Sequence, residues 1–321
     1  MSDGQPLVVG IDVGGTKVLA VETDHEGRVL RTARGETPGR LVDASLVEDV
    51  LSAALAEVAD GRPVSAVGLA AAGFVDATGE RVRFAPHLPW RDDAVRARLA
   101  DRWGTTVALD NDANCVARAE ASYGAAQGVA SALVVTLGTG IGGAIVLDGV
   151  VLRGHNGMAG EFGHMQVVPD GQPCECGRRG CWEQYCSGNE LVRIVRGELG
   201  RMPTILDELC DGDPARLTGP MVSLAAEQGD LLARRAFGSV GDWLGVGVAN
   251  LVAAFDPEAV VVGGGVSAAG DRLLDPARSA LTRALVGSGH RDVPPLVRAR
   301  FGPEAGAVGA ADLARSLLQV R

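Results

Sequence analysis

Between His155 and Cys186 the chain is poor in apolar side chains, and glycines and charged residues surround His164, Cys174, Cys176 and Cys181. A stretch that cannot build its own core needs another staple. The spacing His-x9-Cys-x-Cys-x4-Cys offers one imidazole and three thiolates, the ligand set of a closed tetrahedral structural zinc site. Gly177 and Gly180 supply the tight turns such a knuckle requires. Disulfides are the competing reading, but Met1 to Pro6 is too short and too polar for a targeting segment, and a cytosolic chain keeps its thiols reduced. Structural zinc contributes about 10–16 kcal/mol to folding, as much as a whole domain's stability, so the metal alone would order this loop. Glu161 and Glu183 lie in the same loop and are not needed by the metal. Zinc then reads as scaffolding for a polar site that suits a ligand rich in hydroxyls.

The rest of the composition fits a chain of 321 residues with room for two cores: 46% hydrophobic and 22% charged. No apolar run approaches the roughly 18–20 residues of a membrane span, so the expected place is the cytoplasm with no membrane partner. A formal net charge of −10 opposes a phosphate backbone and excludes nucleic acid as a partner. Cys115 and Cys210 read as small buried hydrophobes, as does Cys186 beyond the knuckle. Among 30 basic residues Lys17 is the only lysine. A phosphate-binding role would hold it as lysine; coding bias is the other explanation.

Two glycine turns recur along the chain. Leu7–Ile11 leads through Asp12-Val13-Gly14-Gly15-Thr16-Lys17 into a second apolar run at Val18–Val21, a β-hairpin whose bare backbone can approach an anion. Thr16 adds a hydroxyl, Lys17 a point charge, and Asp12 a carboxylate for hydrated Mg²⁺. The second copy is Ala132–Leu137, then Gly138-Thr139-Gly140-Ile141-Gly142-Gly143, then Ala144–Leu147. Two such hairpins indicate an internal duplication and a polyphosphate ligand held at both ends.

Between them, Ser45-x-x-Glu48 predicts a capping box that opens an amphipathic helix. Val64–Ala72 predicts a buried strand ending at Gly73, and a loop over Phe84–Trp90 carries His87. A helix over Asp92–Trp103 returns to a strand at Thr105–Leu109. Asp110-Asn111-Asp112-Ala113-Asn114 follows at the strand's carboxyl end, where α/β sheets place ligands. Capping accounts for one of these polar residues; Asp112, at a helix N-terminus, is expected to be held ionised. Further on, helices are expected at Ser187–Gly200 and Asp230–Phe255. A strand over Ala259–Val262 runs into Gly263-Gly264-Gly265 and a helix, and a last strand, Leu296–Ala299, precedes a final helix over Pro303–Val320.

These stretches together resemble the ROK family of sugar kinases and repressors, nearest its actinobacterial ATP-dependent glucokinases. Asp12 to Lys17, Asn111 to Asn114, Gly138 to Gly143, Gly160 to His164, Cys174 to Cys181 with Glu183, and Val262 to Ser267 occur in the family's order. The resemblance implies an α/β, actin-like (ribonuclease-H-like) ATPase fold of two α/β domains with a cleft between them. The smaller domain would be residues 1–112 plus 303–321, and the larger residues 113–302 with the zinc-bearing sugar loop. It implies transfer of the ATP γ-phosphoryl to the 6-hydroxyl of glucose, with mannose or an N-acetylhexosamine as alternative substrates. Asp112 would be the general base, and Gly73, His87, Asn111, Glu161, His164 and Glu183 would bind the hexose. His164 would use one ring nitrogen for zinc and the other for the sugar. Asp12, Gly14, Gly15, Thr16 and Lys17, with Gly138, Thr139 and Gly140, would hold Mg²⁺-ATP phosphates, and Gly264 and Gly265 would lie by the adenosine. A homodimer or homotetramer is implied. His87 departs from the family, which places an asparagine there, so the sugar preference is where this chain would differ. A sugar-sensing regulator from the same family would need a helix-turn-helix ahead of a first strand that here begins at Leu7.

Overall fold

The computed structural model describes residues 6–319. Residues 1–5 of the opening stretch, and Val320 at the expected end of the final helix, lie outside the described residues. From the amino terminus come β1 (Leu7–Val13), β2 (Lys17–Thr23), β3 (Val29–Glu36), α1 (Ala44–Ala59), β4 (Val64–Ala71), β5 (Phe74–Val75), β6 (Val82–Phe84), β7 (Arg91–Asp93), α2 (Val95–Trp103), β8 (Thr106–Asn111) and α3 (Asp112–Tyr123). There follow β9 (Ser131–Leu137), β10 (Ile141–Leu147), β11 (Val150–Val151), α4 (Gly188–Glu198), α5 (Leu206–Leu209), α6 (Gly219–Glu227), α7 (Leu231–Phe255), β12 (Ala259–Gly263), α8 (Asp271–Ala284), β13 (Leu296–Arg298) and α9 (Ala305–Gln319).

Two five-stranded sheets share one plan. Their orders are β3-β2-β1-β4-β8 and β11-β10-β9-β12-β13. In the first, β1 and β2 pair antiparallel while β4 and β8 continue in parallel. Each Gly-Thr turn links the two central strands that open its sheet, as an internal duplication requires. A small sheet, β5-β6-β7, was not expected, because strands of two or three residues leave no periodicity to read.

The chain forms two compact units, Met1–Val134 with Ala144–Gly160 and Arg300–Arg321, and Val135–Gly143 with Glu161–Ala299. This division keeps α3 with the first unit, whereas the resemblance implies a boundary after residue 112. In the first unit, α1 covers one face of the sheet, burying Val47, Leu51, Leu55 and Val58 against Val9, Ile11, Val18 and Ala20. On the other face α9 lays Ala307, Ala310 and Ala311 against the sheet. The approach is so close that a Cβ on Gly10 or Gly68 would stand 1.8 Å from the carbonyl oxygen of Ala307 or Ala310. Only glycine fits there.

Three local expectations are corrected. The cap of α1 is Asp43, whose carboxylate accepts the Ser45 N–H at 2.9 Å, not a Ser45–Glu48 box. Glu48 is buried and bonds instead to Arg98 Nε at 2.5 Å, a charged partner that outweighs a backbone one. Residues 91–93 pair with β6, so α2 starts at Val95 rather than Asp92. After β12 a 3₁₀ turn, Gly265–Ala269, precedes α8.

In the second unit α7 runs 25 residues, long and apolar enough to cross a bilayer. Its apolar side is buried: Gly241 and Gly245 bring it onto α8, and Gly247 makes room for the Trp182 indole. Trp182 Nε1 donates to the Trp243 carbonyl at 2.8 Å.

Candidate functional site

In the first unit the β1–β2 turn is closed by the Gly14 N–H donating to the Lys17 carbonyl at 3.0 Å. Thr37 Oγ donates to the Gly14 carbonyl at 2.8 Å, which stiffens the turn and leaves Thr16 and Lys17 exposed. Asp12, on β1, stands behind them. Burial first, then the charge of Asp112, pushes its carboxyl up from 3.8 to about 7, with Lys17 pulling the other way. A half-buried carboxylate short of counter-charge fits a divalent cation. Gly306 in α9 was not anticipated: a Cβ there would come within 2.8 Å of Asp12 Oδ2.

Asn111 closes β8 and caps α3, its Oδ1 accepting the Asn114 N–H at 3.1 Å. Its Nδ2 donates to the Gly73 carbonyl at 3.0 Å and to Asp112 Oδ1 at 2.8 Å. Asp112 Oδ1 also accepts the Ala113 N–H at 2.9 Å. The helix end does not dominate at Asp112: burial outweighs these bonds and raises its pKa above the ordinary carboxylate value. Gly73 is wedged against the chain at Phe84 and Ala85, where a Cβ would lie 2.6 Å from the Phe84 carbonyl oxygen. Arg91 grips the loop carrying His87, its Nη1 donating to the Ala85, Leu88 and Trp90 carbonyls at 2.6, 2.8 and 2.6 Å. This clamp was missed in the sequence, since an arginine that bonds carbonyls has no spacing signature. The loop sets His87 directly over Gly15, so that a Cβ on Gly15 would lie 2.6 Å from the His87 Cβ.

The second unit holds the metal-type cluster. His164 ends a 3₁₀ turn, Phe162–His164, that follows Glu161, and its Nδ1 is 3.7 Å from Cys174 Sγ. Cys176 Sγ and Cys181 Sγ are 3.6 Å apart, and all four donor atoms lie within 4.8 Å of one another. Zinc–sulfur bonds of about 2.3 Å at the tetrahedral angle set sulfur–sulfur edges near 3.8 Å, so the donor set fits that ion. Gly177 and Gly180 take positive φ of 85° and 74°, and the Gly177 N–H donates back to the Cys174 carbonyl. All six cysteines are free, and Cys115, Cys186 and Cys210 are buried as expected.

Glu183 reaches three neighbours. Its Oε1 is 3.1 Å from Cys174 Sγ and 3.5 Å from His164 Nδ1, and its Oε2 crowds Gly140, where a Cβ would lie 2.5 Å away. The turn Gly138-Thr139-Gly140 is closed by the Gly138 N–H on the Gly140 carbonyl, and the Gly188 N–H at the start of α4 donates to the Gly138 carbonyl at 2.8 Å. Gly264, with φ of 80°, packs against Leu137 at the end of β9, which sets Gly264 and Gly265 beside that turn.

The chain is similar to known proteins over nearly its whole length. The chain is 41% identical to a glucokinase of Streptomyces coelicolor over 312 residues, covering 96% of this chain and 98% of that one. To a glucokinase of Thermotoga maritima it is 34% identical over 314 residues, 95% and 96% of the two chains. The crystal structure of a ROK family glucokinase from Streptomyces griseus in complex with glucose and AMPPNP superposes with a TM-score of 0.89 at 43% identity, covering 97% of this chain and 99% of that one. The model of the ROK family matches residues 8–316, and the chain belongs to that family.

Proposed function

We propose that this protein transfers the γ-phosphoryl group of ATP to the 6-hydroxyl of glucose, giving glucose 6-phosphate and ADP. The observation that carries the reading is the Asn111–Asp112 corner: the Asn111 and Ala113 bonds fall on Asp112 Oδ1, which leaves Oδ2 to receive the hydroxyl proton. The S. griseus enzyme, solved with glucose and AMPPNP, supports it.

Phosphoryl transfer asks a protein for positioning and for charge at the transferred group. The Gly14–Lys17 turn presents backbone N–H groups and an ammonium to phosphate oxygens. Asp12 would hold Mg²⁺, which neutralises phosphate charge when bound. A carboxyl with a raised pKa is a stronger base toward the departing hydroxyl proton than an ordinary one, provided it is ionised at the working pH. In the other unit His164, Cys174, Cys176 and Cys181 would hold a structural zinc. His164 Nδ1 faces the thiols, so Nε2 remains for a sugar hydroxyl, with Glu161 and Glu183 accepting from others. Gly138, Thr139 and Gly140 take phosphate, and Gly264 and Gly265 take the adenosine. Free cysteines suit the cytoplasm, and a homodimer or homotetramer is part of the same proposal.

A coupled ADP-release screen over hexoses and amino sugars tests the reading. Glucose should give the highest kcat/KM, and the product should carry phosphate on its 6-hydroxyl. Release with mannose or an N-acetylhexosamine ahead of glucose would reassign the substrate to the sugar His87 favours, and no release with any aldohexose would end the proposal.

A further inference from the structure

Asp110 precedes the Asn111–Asp112 corner and is only 5% exposed. A buried carboxylate costs several kcal/mol unless it is paired and fully hydrogen-bonded. Here both oxygens are taken. Oδ2 accepts from Arg153 Nε at 2.9 Å and Nη2 at 2.6 Å, a forked pair of charge-assisted bonds. Oδ1 accepts the Asn111 N–H at 2.9 Å and Asn114 Nδ2 at 2.9 Å. Those two asparagines shape the corner, because Asn111 holds Asp112 and caps α3 through Asn114. A chain of contacts therefore runs from Arg153 through Asp110 and the asparagines to Asp112.

Arg153 itself comes from an ordered loop. Its carbonyl accepts the Ala159 N–H at 3.0 Å, and Gly157 in the same loop is seated so tightly that a Cβ would lie 2.1 Å from the Val75 carbonyl oxygen. We propose that Arg153, acting through Asp110, is a positioning residue that sets the orientation of Asp112 toward the reacting hydroxyl. It touches no reacting atom. The inference rests on the reading of Asp112 as general base. A misplacement of about 1 Å at the reacting group costs as much as 10²-fold, so a small swing of the corner is enough to be seen in kcat.

The test compares Arg153→Met, Arg153→Lys and the uncharged pair Arg153→Met/Asp110→Asn in the full-length enzyme. Arg153→Met should lower kcat at least tenfold while KM for ATP stays within twofold. Arg153→Lys, which keeps the charge and one donor toward Asp110, should recover part of that loss. Should Arg153→Met fail to fold, the double variant, which buries no unpaired charge, should restore thermal stability and keep kcat low. Wild-type kcat in either folded variant would overturn the proposal, as would a change confined to melting temperature or to KM for ATP. Asp112→Asn separates the two claims. If it is inactive while Arg153→Met turns over normally, only the positioning role falls; if it is fully active, the general-base reading falls first.

Discussion

The side-chain amide of Asn111 donates to the carboxylate of Asp112 across 2.8 Å, and the same amide donates to the Gly73 carbonyl. The corner is thus shaped by Asn111, and in the proposed reaction Asp112 would be the base. Asp112→Asn keeps the shape and cannot take a proton. It should lower kcat at least 10²-fold while leaving sugar binding largely intact. Steady-state rates with calorimetry of glucose binding check this, and a variant keeping more than about a tenth of kcat would remove Asp112 as the base.

The purified protein should carry one zinc per chain. Cys176→Ala takes away a donor 3.6 Å from Cys181 and should release the ion, leaving the loop from Glu161 to Glu183 unordered. Elemental analysis reports the metal, and KM for sugar should rise far more than KM for ATP. Wild-type protein isolated without zinc would contradict this.

Lys17 stands exposed at the start of β2, beside the turn closed by Gly14. An ammonium on a flexible stem reaches one phosphate oxygen as a point charge, whereas a guanidinium is larger and seeks a two-pronged partner. Lys17→Arg should lower kcat/KM for ATP about tenfold, or about 1.4 kcal/mol, with zinc content unchanged. Kinetics equal to wild type would leave coding bias as the reason for the lone lysine.

Asp12 predicts how stability varies with pH in magnesium-free buffer. Its carboxyl titrates at about 7 in the fold and near 3.8 unfolded. Between those values the folded chain binds a proton the unfolded chain lacks, so this group costs nothing below about pH 4 and its penalty grows until about pH 7. The full penalty is on the order of 4 kcal/mol. Asp12→Asn should match wild type in denaturant titrations near pH 4 and exceed it near pH 7. An equal margin at both values would show that burial does not govern Asp12.

What the sequence disclosed was local. The zinc-type knuckle fits within eighteen positions, and its thiols and imidazole meet as their spacing implies. The two hairpins were legible because apolar runs bracket each glycine turn. Pairing across long stretches was not: nothing near Asp110 points to Arg153, and nothing near Ser45 shows that Glu48 will be drawn to Arg98, fifty residues on. The raised pKa of Asp112 was also out of reach, since helix ends argue for ionisation and only packing reveals how little water remains.

The fit of α9 against Gly10 and Gly68 bears on how the chain is made. A ribosome that has delivered β1, β4 and β8 has delivered a sheet with one face still lacking its cover, because α9, the helix that packs on it, follows about two hundred residues later in the chain. The amino-terminal part of the first unit must wait, exposed, while the second unit, Val135–Gly143 with Glu161–Ala299, emerges and folds. Truncation ahead of α9 would therefore do more than shorten the protein: it would strand its first half in the nascent, aggregation-prone condition that synthesis only passes through.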